Sequence, residues 1–188
     1  MKTKKTKLNQ VKTVLFFPLL IFIGISCSKD DFETIKKEFG VDPKATFLRA
    51  DDNDTPSNPI IINLEDNGIT AGVSLRIRTI GAYFNSPSGT TRNDAIGVFS
   101  ASTQLLEKSE LNRVVDAIDA GEVRVTENTY IGNLTTDIPE DFGIEKESTE
   151  IIVPPGAQFL FLGNADCLHS DNTETPEGFK VEITYKVY

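Results

Sequence analysis

Residues 151–188 read IIVPPGAQFLFLGNADCLHSDNTETPEGFKVEITYKVY, and the spacing of their apolar side chains indicates the fold class most clearly. Apolar and polar side chains alternate over 179–188, which is typical of a strand with one buried and one solvated face. The run FLFL at 159–162 is apolar on both faces, so we expect that strand in the middle of the core, between two layers. A tight turn at PPG, residues 154–156, separates it from another predicted strand at 151–153.

The same period of two recurs upstream at 60–64, 73–80 and 122–126, so these segments are also predicted strands. Only 104–120 has apolar residues at helical spacing, and a long inter-strand loop explains that segment equally well. Several short strands, frequent turn residues and little helix predict an all-β protein. We expect an antiparallel, jelly-roll-like β-sandwich.

The N-terminus has the features of an export signal. Five lysines flank the start of an apolar run at 14–25, which is shorter than the about 20 apolar residues that a membrane-spanning helix needs. The run ends in GISC, residues 24–27, which resembles the lipobox of bacterial lipoproteins, with Gly24 where leucine is usual. We therefore expect cleavage after residue 26, lipidation of Cys27 and an anchor in the outer membrane, facing the periplasm or the cell surface. An ordinary secretory signal or an uncleaved anchor is the alternative.

Removal of the signal peptide, residues 1–26, leaves a chain of the size of one domain plus a tether. We assign 27–57 to the lipidated cysteine and tether, within which 28–40 is a short amphipathic helix or a flexible segment, and 58–188 to the β-sandwich. The signal contains five lysines and no acid, so 14 Lys and Arg remain against 28 Asp and Glu, a net charge of −14. This charge disfavours nucleic acid as a partner and suits divalent cations.

The loop NADCLHSDN at 164–172 concentrates oxygen donors between two predicted strands. Asp166, Asp171 and Asn172 supply three side-chain donors, and calcium takes about six to eight oxygens from such loops. A loop with that charge is costly to bury without a cation. We therefore predict a calcium site here; a polar hairpin loop that uses Asx turns is the alternative.

The segment 154–183 resembles the final hairpin of the PA-I galactophilic lectin family. The matching pattern is Pro-x-Gly-Ala-x-x-Leu-x-Leu-Gly, then an Asp, then an Asp/Asn-Asn pair, then Gly-x-Phe-x-Val-x-Ile. In that family the Asp and the paired residues bind calcium, which binds two hydroxyls of a galactose-type sugar. The resemblance implies that Asp166 is the first ligand and that Asp171 and Asn172 are the pair. It also implies a backbone oxygen ligand at or just after Leu168.

The resemblance implies further positions more loosely. The segment 81–87 is similar to the loop that gives that family another backbone ligand, which we place at Asn85, and DAIG at 94–97 falls where the sugar-contacting loop lies. Where the family usually has one small residue after the Asn pair, this chain has 173–177, a longer loop expected to cover or contact the sugar. The candidate sugar contacts are His169, Asp94 and Tyr83. For His169, a solvated loop side chain is the alternative.

Nothing in the sequence supports an enzyme. No HExxH, Gly-x-Ser-x-Gly or phosphate-cradling glycine loop occurs, and the single His has no evident nucleophile to activate. Paired carboxylates can hydrolyse glycosides, but calcium binding explains Asp166 and Asp171 more simply. The predicted function is a surface or periplasmic lipoprotein that binds a galactose-type glycan through calcium. The alternative is a non-catalytic accessory lipoprotein without sugar affinity, as a subunit of a surface uptake or adhesion complex.

Overall fold

The computed structural model describes residues 32–121 and 137–187, and the regular structure there is almost entirely β. A short 3-10 turn, Glu65–Asn67, is the only helical element in these two ranges. The prediction of an all-β fold is confirmed. The strands are β1 (Glu33–Gly40), β2 (Ile60–Asn63), β3 (Ser74–Phe84), β4 (Thr91–Arg92), β5 (Ala95–Ser100), β6 (Ala117–Ile118), β7 (Phe142–Ile144), β8 (Thr149–Ile152), β9 (Phe159–Gly163) and β10 (Thr173–Val187).

The strands form two antiparallel sheets. In the first sheet β10 lies between β1 and β3, and β3 also pairs with β8 near its start and with β4 at its end. In the second sheet β9 lies between β2 and β5, and β5 also pairs with β7 at its start and with β6 at its end. The chain passes repeatedly from one sheet to the other. The predicted antiparallel, jelly-roll-like sandwich is therefore confirmed.

The main core fills the space between the two sheets. Alternate side chains of β3 and β10 point into it, as a period of two requires, and share one apolar cluster with side chains of β2, β5 and β9. Burial of these side chains is the main source of stability. The cluster includes Ile62, Leu75, Ile77, Tyr83, Phe99, Leu160, Leu162, Phe179, Val181 and Ile183.

The second sheet is also buried on its outer face. Phe161 of β9 and Val98 of β5 belong to a separate apolar cluster with Phe47 and Leu48, which lie in the chain between β1 and β2. This cover explains why β9 is apolar on both faces. The prediction that this strand lies in the middle of a core is confirmed, with loop residues supplying the second layer.

The sandwich begins before the predicted domain boundary. β1 pairs along its whole length with β10, from Glu33 opposite Val187 to Gly40 opposite Lys180. The assignment of 27–57 to a tether is therefore wrong from Glu33 onward, and the helix or flexible segment predicted for 28–40 is wrong for Glu33–Gly40. The chain that follows β1 is part of the domain as well, because it covers the second sheet.

β10 begins at Thr173, six residues before the predicted strand. Thr173 and Glu174 pair with the end of β3, and the register then shifts before Phe179 resumes the pairing. The residues 173–177 are therefore part of a bulged strand, and the prediction of a separate loop there is wrong.

Several other predicted segments have different outcomes. The segment 104–120 contains no helix; it is a loop with a bridge between Leu105 and Val114 that runs into β6. The predicted strand at 122–126, the signal at 1–26 and Cys27 lie outside the described residues. Across 32–121 and 137–187, no helix has the length and apolar character needed to cross a membrane.

Candidate functional site

The loop 164–172 joins β9 to β10, and central strands hold both of its ends. It starts after Gly163, where the chain between β1 and β2 passes very close. A Cβ on Gly163 would lie 3.0 Å from Cα of Thr46 and 3.1 Å from the carbonyl oxygen of Ala45. A glycine at this position therefore lets the N-terminal chain segment pack against the start of the loop.

Two asparagines fasten the loop to that segment. The Nδ2 atoms of Asn164 and Asn172 each donate a hydrogen bond to the carbonyl oxygen of Pro43, at 2.9 Å. The backbone N–H of Asn164 donates to the carbonyl oxygen of Ala45, at 2.7 Å. Both asparagines are fully buried. Because Nδ2 of Asn172 is committed to Pro43, its Oδ1 faces away from Pro43.

Asp54 fastens the middle of the loop. Its Oδ2 accepts a hydrogen bond from the backbone N–H of His169 at 2.9 Å and lies 3.0 Å from Nδ1 of His169. Its Oδ1 accepts from the backbone N–H of Ser170 at 2.7 Å. Burial raises the pKa of Asp54, but the hydrogen bonds from His169 and Ser170 outweigh burial and leave the pKa below its ordinary value. Asp54 is therefore ionised in the fold at neutral pH.

Asn85 and Asn172 lie at the same end of the β3–β10 ladder. Phe84, the last residue of β3, is opposite Thr173, the first residue of β10. Asn85 follows Phe84 and Asn172 precedes Thr173, so the two amides continue the ladder from opposite sides. The structure therefore brings the predicted position Asn85 next to the predicted ligand loop.

Four of the predicted ligand positions each have one buried side-chain oxygen without a hydrogen-bond partner among the described residues. These oxygens are Oδ1 of Asn85, Oδ2 of Asp166, Oδ1 of Asp171 and Oδ1 of Asn172. A buried acceptor left without a partner costs about 1–3 kcal/mol, so these four oxygens, and Oδ1 of Asn164 in the loop 164–172, need an explanation.

Asp166 belongs to the same group by proximity. Burial raises its pKa; the Cys167 amide, His169 and the Asn172 side chain lower the pKa by less, so the net shift is upward. The Asn172 side chain thus lies close enough to Asp166 to interact with its carboxylate. A carboxylate with a raised pKa is short of positive partners, and a cation at its unpartnered oxygen would supply one.

An ion pair lies beside Asp166. Nε and Nη2 of Arg92 donate to the two carboxylate oxygens of Asp94, at 3.0 and 2.9 Å. The hydrogen bond to Asp94 raises the pKa of Arg92, and the charge of Asp166 adds to that rise. Asp94 is therefore the direct ion-pair partner of Arg92, and Asp166 interacts with this guanidinium only as a further charge.

The predicted sugar contacts have different outcomes. His169 and Tyr83 are both fully buried, so the prediction that they contact a sugar directly is wrong, and so is the alternative of a solvated His169. Asp94 is half-buried, and its contact with a sugar stays a prediction. The rest of the predicted contact loop, residues 95–97, lies in the buried strand β5. Leu168 is 43% exposed, and the role of its backbone oxygen stays a prediction.

The donor set of the candidate site is made of two carboxylates and two amides. In the parts of the chain that the structure describes, no three His, Cys, Asp or Glu side chains form a group that could hold a metal ion. Amide and carboxylate oxygens together are typical ligands of calcium, so the residues present fit a hard cation rather than zinc.

Comparisons of the chain with protein-family models, curated proteins and solved structures found no match. The resemblance to the lectin family therefore depends on this chain's own residues, chiefly those of 154–183.

Sequence reasoning missed Asp54 and Pro43, which hold the loop from a distant part of the chain. Asp54 lies in DDNDTPSNP, residues 51–59, a composition typical of a solvated loop. Its partner His169 is 115 residues away, so no local pattern indicates the contact.

Proposed function

We propose that this chain is a surface or periplasmic bacterial lipoprotein with a calcium-dependent, carbohydrate-binding β-sandwich. The observation that supports it best is the group of four unpartnered buried oxygens on Asn85, Asp166, Asp171 and Asn172. A hard cation at this end of the sandwich would satisfy all four at once.

Charge and coordination number favour calcium within this proposal. Asp166 and Asp171 provide two negative charges, which match a divalent ion, while the nearby Arg92 is already balanced by Asp94. Four side-chain oxygens fill only part of the about six to eight positions that calcium takes. The remaining positions are available to backbone oxygens, of which Leu168 is the predicted source, and to two sugar hydroxyls of a galactose-type glycan.

A second candidate is a calcium-stabilised accessory lipoprotein without sugar affinity, as a subunit of an uptake or adhesion complex. The burial of Tyr83 and His169 favours it, because these two were the predicted ring contacts for a sugar. Without them the ion alone has to provide most of the recognition. The two candidates share the cation site and differ in what the site does.

Calorimetric titration with calcium tests the shared part. The sample is the protein that starts at residue 28, which keeps every described strand. We expect saturable binding of one ion and a rise in melting temperature, because a ligand that binds only the folded state stabilises it. Asp166→Asn should abolish both. Asp66→Asn, at an exposed position on the 3-10 turn, is the control and should behave as the unchanged protein.

A glycan array with and without calcium separates the two candidates. Binding of galactose-type glycans that chelation removes supports the lectin function. A blank array on protein that still binds calcium supports the accessory function instead. Absence of any calcium binding contradicts both.

The lipid anchor has its own test. We propose that Cys27 receives the lipid, so cells that express the full chain should incorporate labelled fatty acid into it. Cys27→Ser should abolish the label, while Cys167→Ser, at the exposed cysteine of the ligand loop, should leave it unchanged. Label retained by Cys27→Ser would contradict the anchor.

A further inference from the structure

We propose that Asp54 is a positioning residue that presets the ligand loop 164–172 for cation binding. The inference rests on the proposed calcium site and adds a residue that lies far from it in sequence. Asp54 acts through His169 and Ser170, which lie between the ligands Asp166 and Asp171.

The hydrogen bonds show that Asp54 is not itself a ligand. Oδ2 of Asp54 accepts a hydrogen bond from the backbone N–H of His169 and lies next to Nδ1 of the His169 ring. Oδ1 accepts hydrogen bonds from the backbone N–H groups of Thr55 and Ser170. Both carboxylate oxygens are therefore occupied by donors. Asp54 is fully buried, so its charge is directed at the loop rather than at solvent.

The position of these contacts within the loop explains their effect. Ser170 immediately precedes Asp171 and Asn172, and His169 lies three residues after Asp166. The backbone is therefore fixed at His169 and Ser170. This sets the direction of the chain toward Asp166 on one side and toward Asp171 and Asn172 on the other. A loop that is ordered before the ion arrives loses less conformational entropy on binding.

Pro43 completes the arrangement from the same chain segment. The carbonyl oxygen of Pro43 accepts a hydrogen bond from Nδ2 of Asn172. The other end of that amide, Oδ1, is therefore the atom that faces the candidate site. The chain between β1 and β2 thus holds the loop at two points, through Asp54 in the middle and through Pro43 at the end. Residues that orient metal ligands in this way typically change affinity by about 10- to 100-fold when they are replaced.

The test compares Asp54→Asn with Asp52→Asn, an exposed position in the same segment. An asparagine keeps the shape of Asp54 but loses the charge and one acceptor. We expect Asp54→Asn to weaken calcium binding by about 10- to 100-fold, measured by calorimetry. We expect no change for Asp52→Asn. Hydrogen exchange without calcium should show faster exchange of the His169 and Ser170 amides in Asp54→Asn, with the amides of β9 and β10 unchanged.

A second variant covers the case in which Asp54→Asn does not fold. His169→Ala removes the buried ring with its contact to Asp54 and leaves both backbone hydrogen bonds from the loop to Asp54, so it should weaken calcium binding by a smaller factor. If the unchanged protein binds calcium and neither variant alters the affinity, the positioning role is overturned and the calcium site stands. If the unchanged protein does not bind calcium, the proposed function itself is overturned, and the positioning role with it.

Discussion

Gly81 and Gly178 face each other across the β3–β10 pair with no room for a side chain between them. A Cβ on Gly81 would lie 2.0 Å from the carbonyl oxygen of Gly178. Both glycines have positive φ, 75° for Gly81 and 72° for Gly178. Gly178 lies in the bulge of β10, which follows Thr173 and Glu174, the two residues that pair with the end of β3 beside the candidate site.

Gly81→Ala should lower the free energy of unfolding by about 2–4 kcal/mol, because it adds a backbone clash to the strain of a positive φ. Urea unfolding measures the loss. Gly68→Ala is the matched control: its φ is 71°, but no atom lies within 4 Å of the added Cβ. The free energy of unfolding of Gly68→Ala should fall only by the strain of a positive φ, about 1–2 kcal/mol. Equal losses in the two variants would contradict the clash.

The sequence predicts the sandwich because most of its strands keep a period of two. β1 is the exception, and Lys37 is the reason. Ile35, Lys37 and Phe39 are the partly buried residues of the strand, but a lysine at the central position hides the apolar alternation. Lys37 is accommodated because its Nζ donates to Oδ1 of Asn67 at 2.9 Å. That partner lies 30 residues away, so the sequence pattern cannot indicate it.

The sequence likewise predicts one part of the candidate site and does not indicate the other. Asp166, Asp171 and Asn172 are close in sequence and carry the donor chemistry, so a pattern finds them. Asp54 and Pro43 reach the loop only through the packing of the N-terminal segment on the second sheet. Tyr83 is in phase with Leu75 and Ile77 on the inward face of β3, so the period of two also indicates its burial, and its ring packs on Phe179 with centroids 5.0 Å apart.

Arg113→Lys should destabilise the protein by about 2 kcal/mol. The buried guanidinium donates to the carbonyl oxygens of Leu48 at 2.8 Å and Leu106 at 3.1 Å, and so joins two loops that cover the second sheet. A lysine keeps the charge but cannot make both hydrogen bonds in this fork geometry, and a buried acceptor is left without a partner. Urea unfolding measures the change. Arg76→Lys, at an exposed position of β3, should be neutral.

Glu182→Gln should reduce stability at neutral pH and make it less sensitive to acid. Hydrogen bonds from Arg78 lower the pKa of Glu182, and Lys36 lowers it further. Since the pKa in the fold lies below the ordinary value of 4.5, the ionised group stabilises the fold above about pH 4.5. This contribution is lost as the pH falls through the lowered pKa.

Unfolding measured at several pH values, from about 7 down to about 3, checks this sign because the range spans the ordinary pKa of glutamate. The difference between the unchanged protein and Glu182→Gln should be largest at neutral pH and should shrink in acid. Glu177→Gln, at an exposed position in the β10 bulge, is the control and should show no such difference. A difference that stays constant over the whole range would show that charge is not the cause.

Tyr83→Phe should raise the free energy of unfolding by up to about 1 kcal/mol. The Tyr83 hydroxyl is fully buried and has no hydrogen-bond partner among the described residues, so its removal relieves a desolvation cost while the ring keeps its contact with Phe179. Tyr185→Phe is the matched control with the opposite sign, because the Tyr185 hydroxyl donates to the carbonyl oxygen of Asn67. That variant should lose about 1 kcal/mol. A loss of stability in Tyr83→Phe would show that its hydroxyl binds a partner such as an ordered water, and a loss of calcium affinity there would place Tyr83 in the site after all.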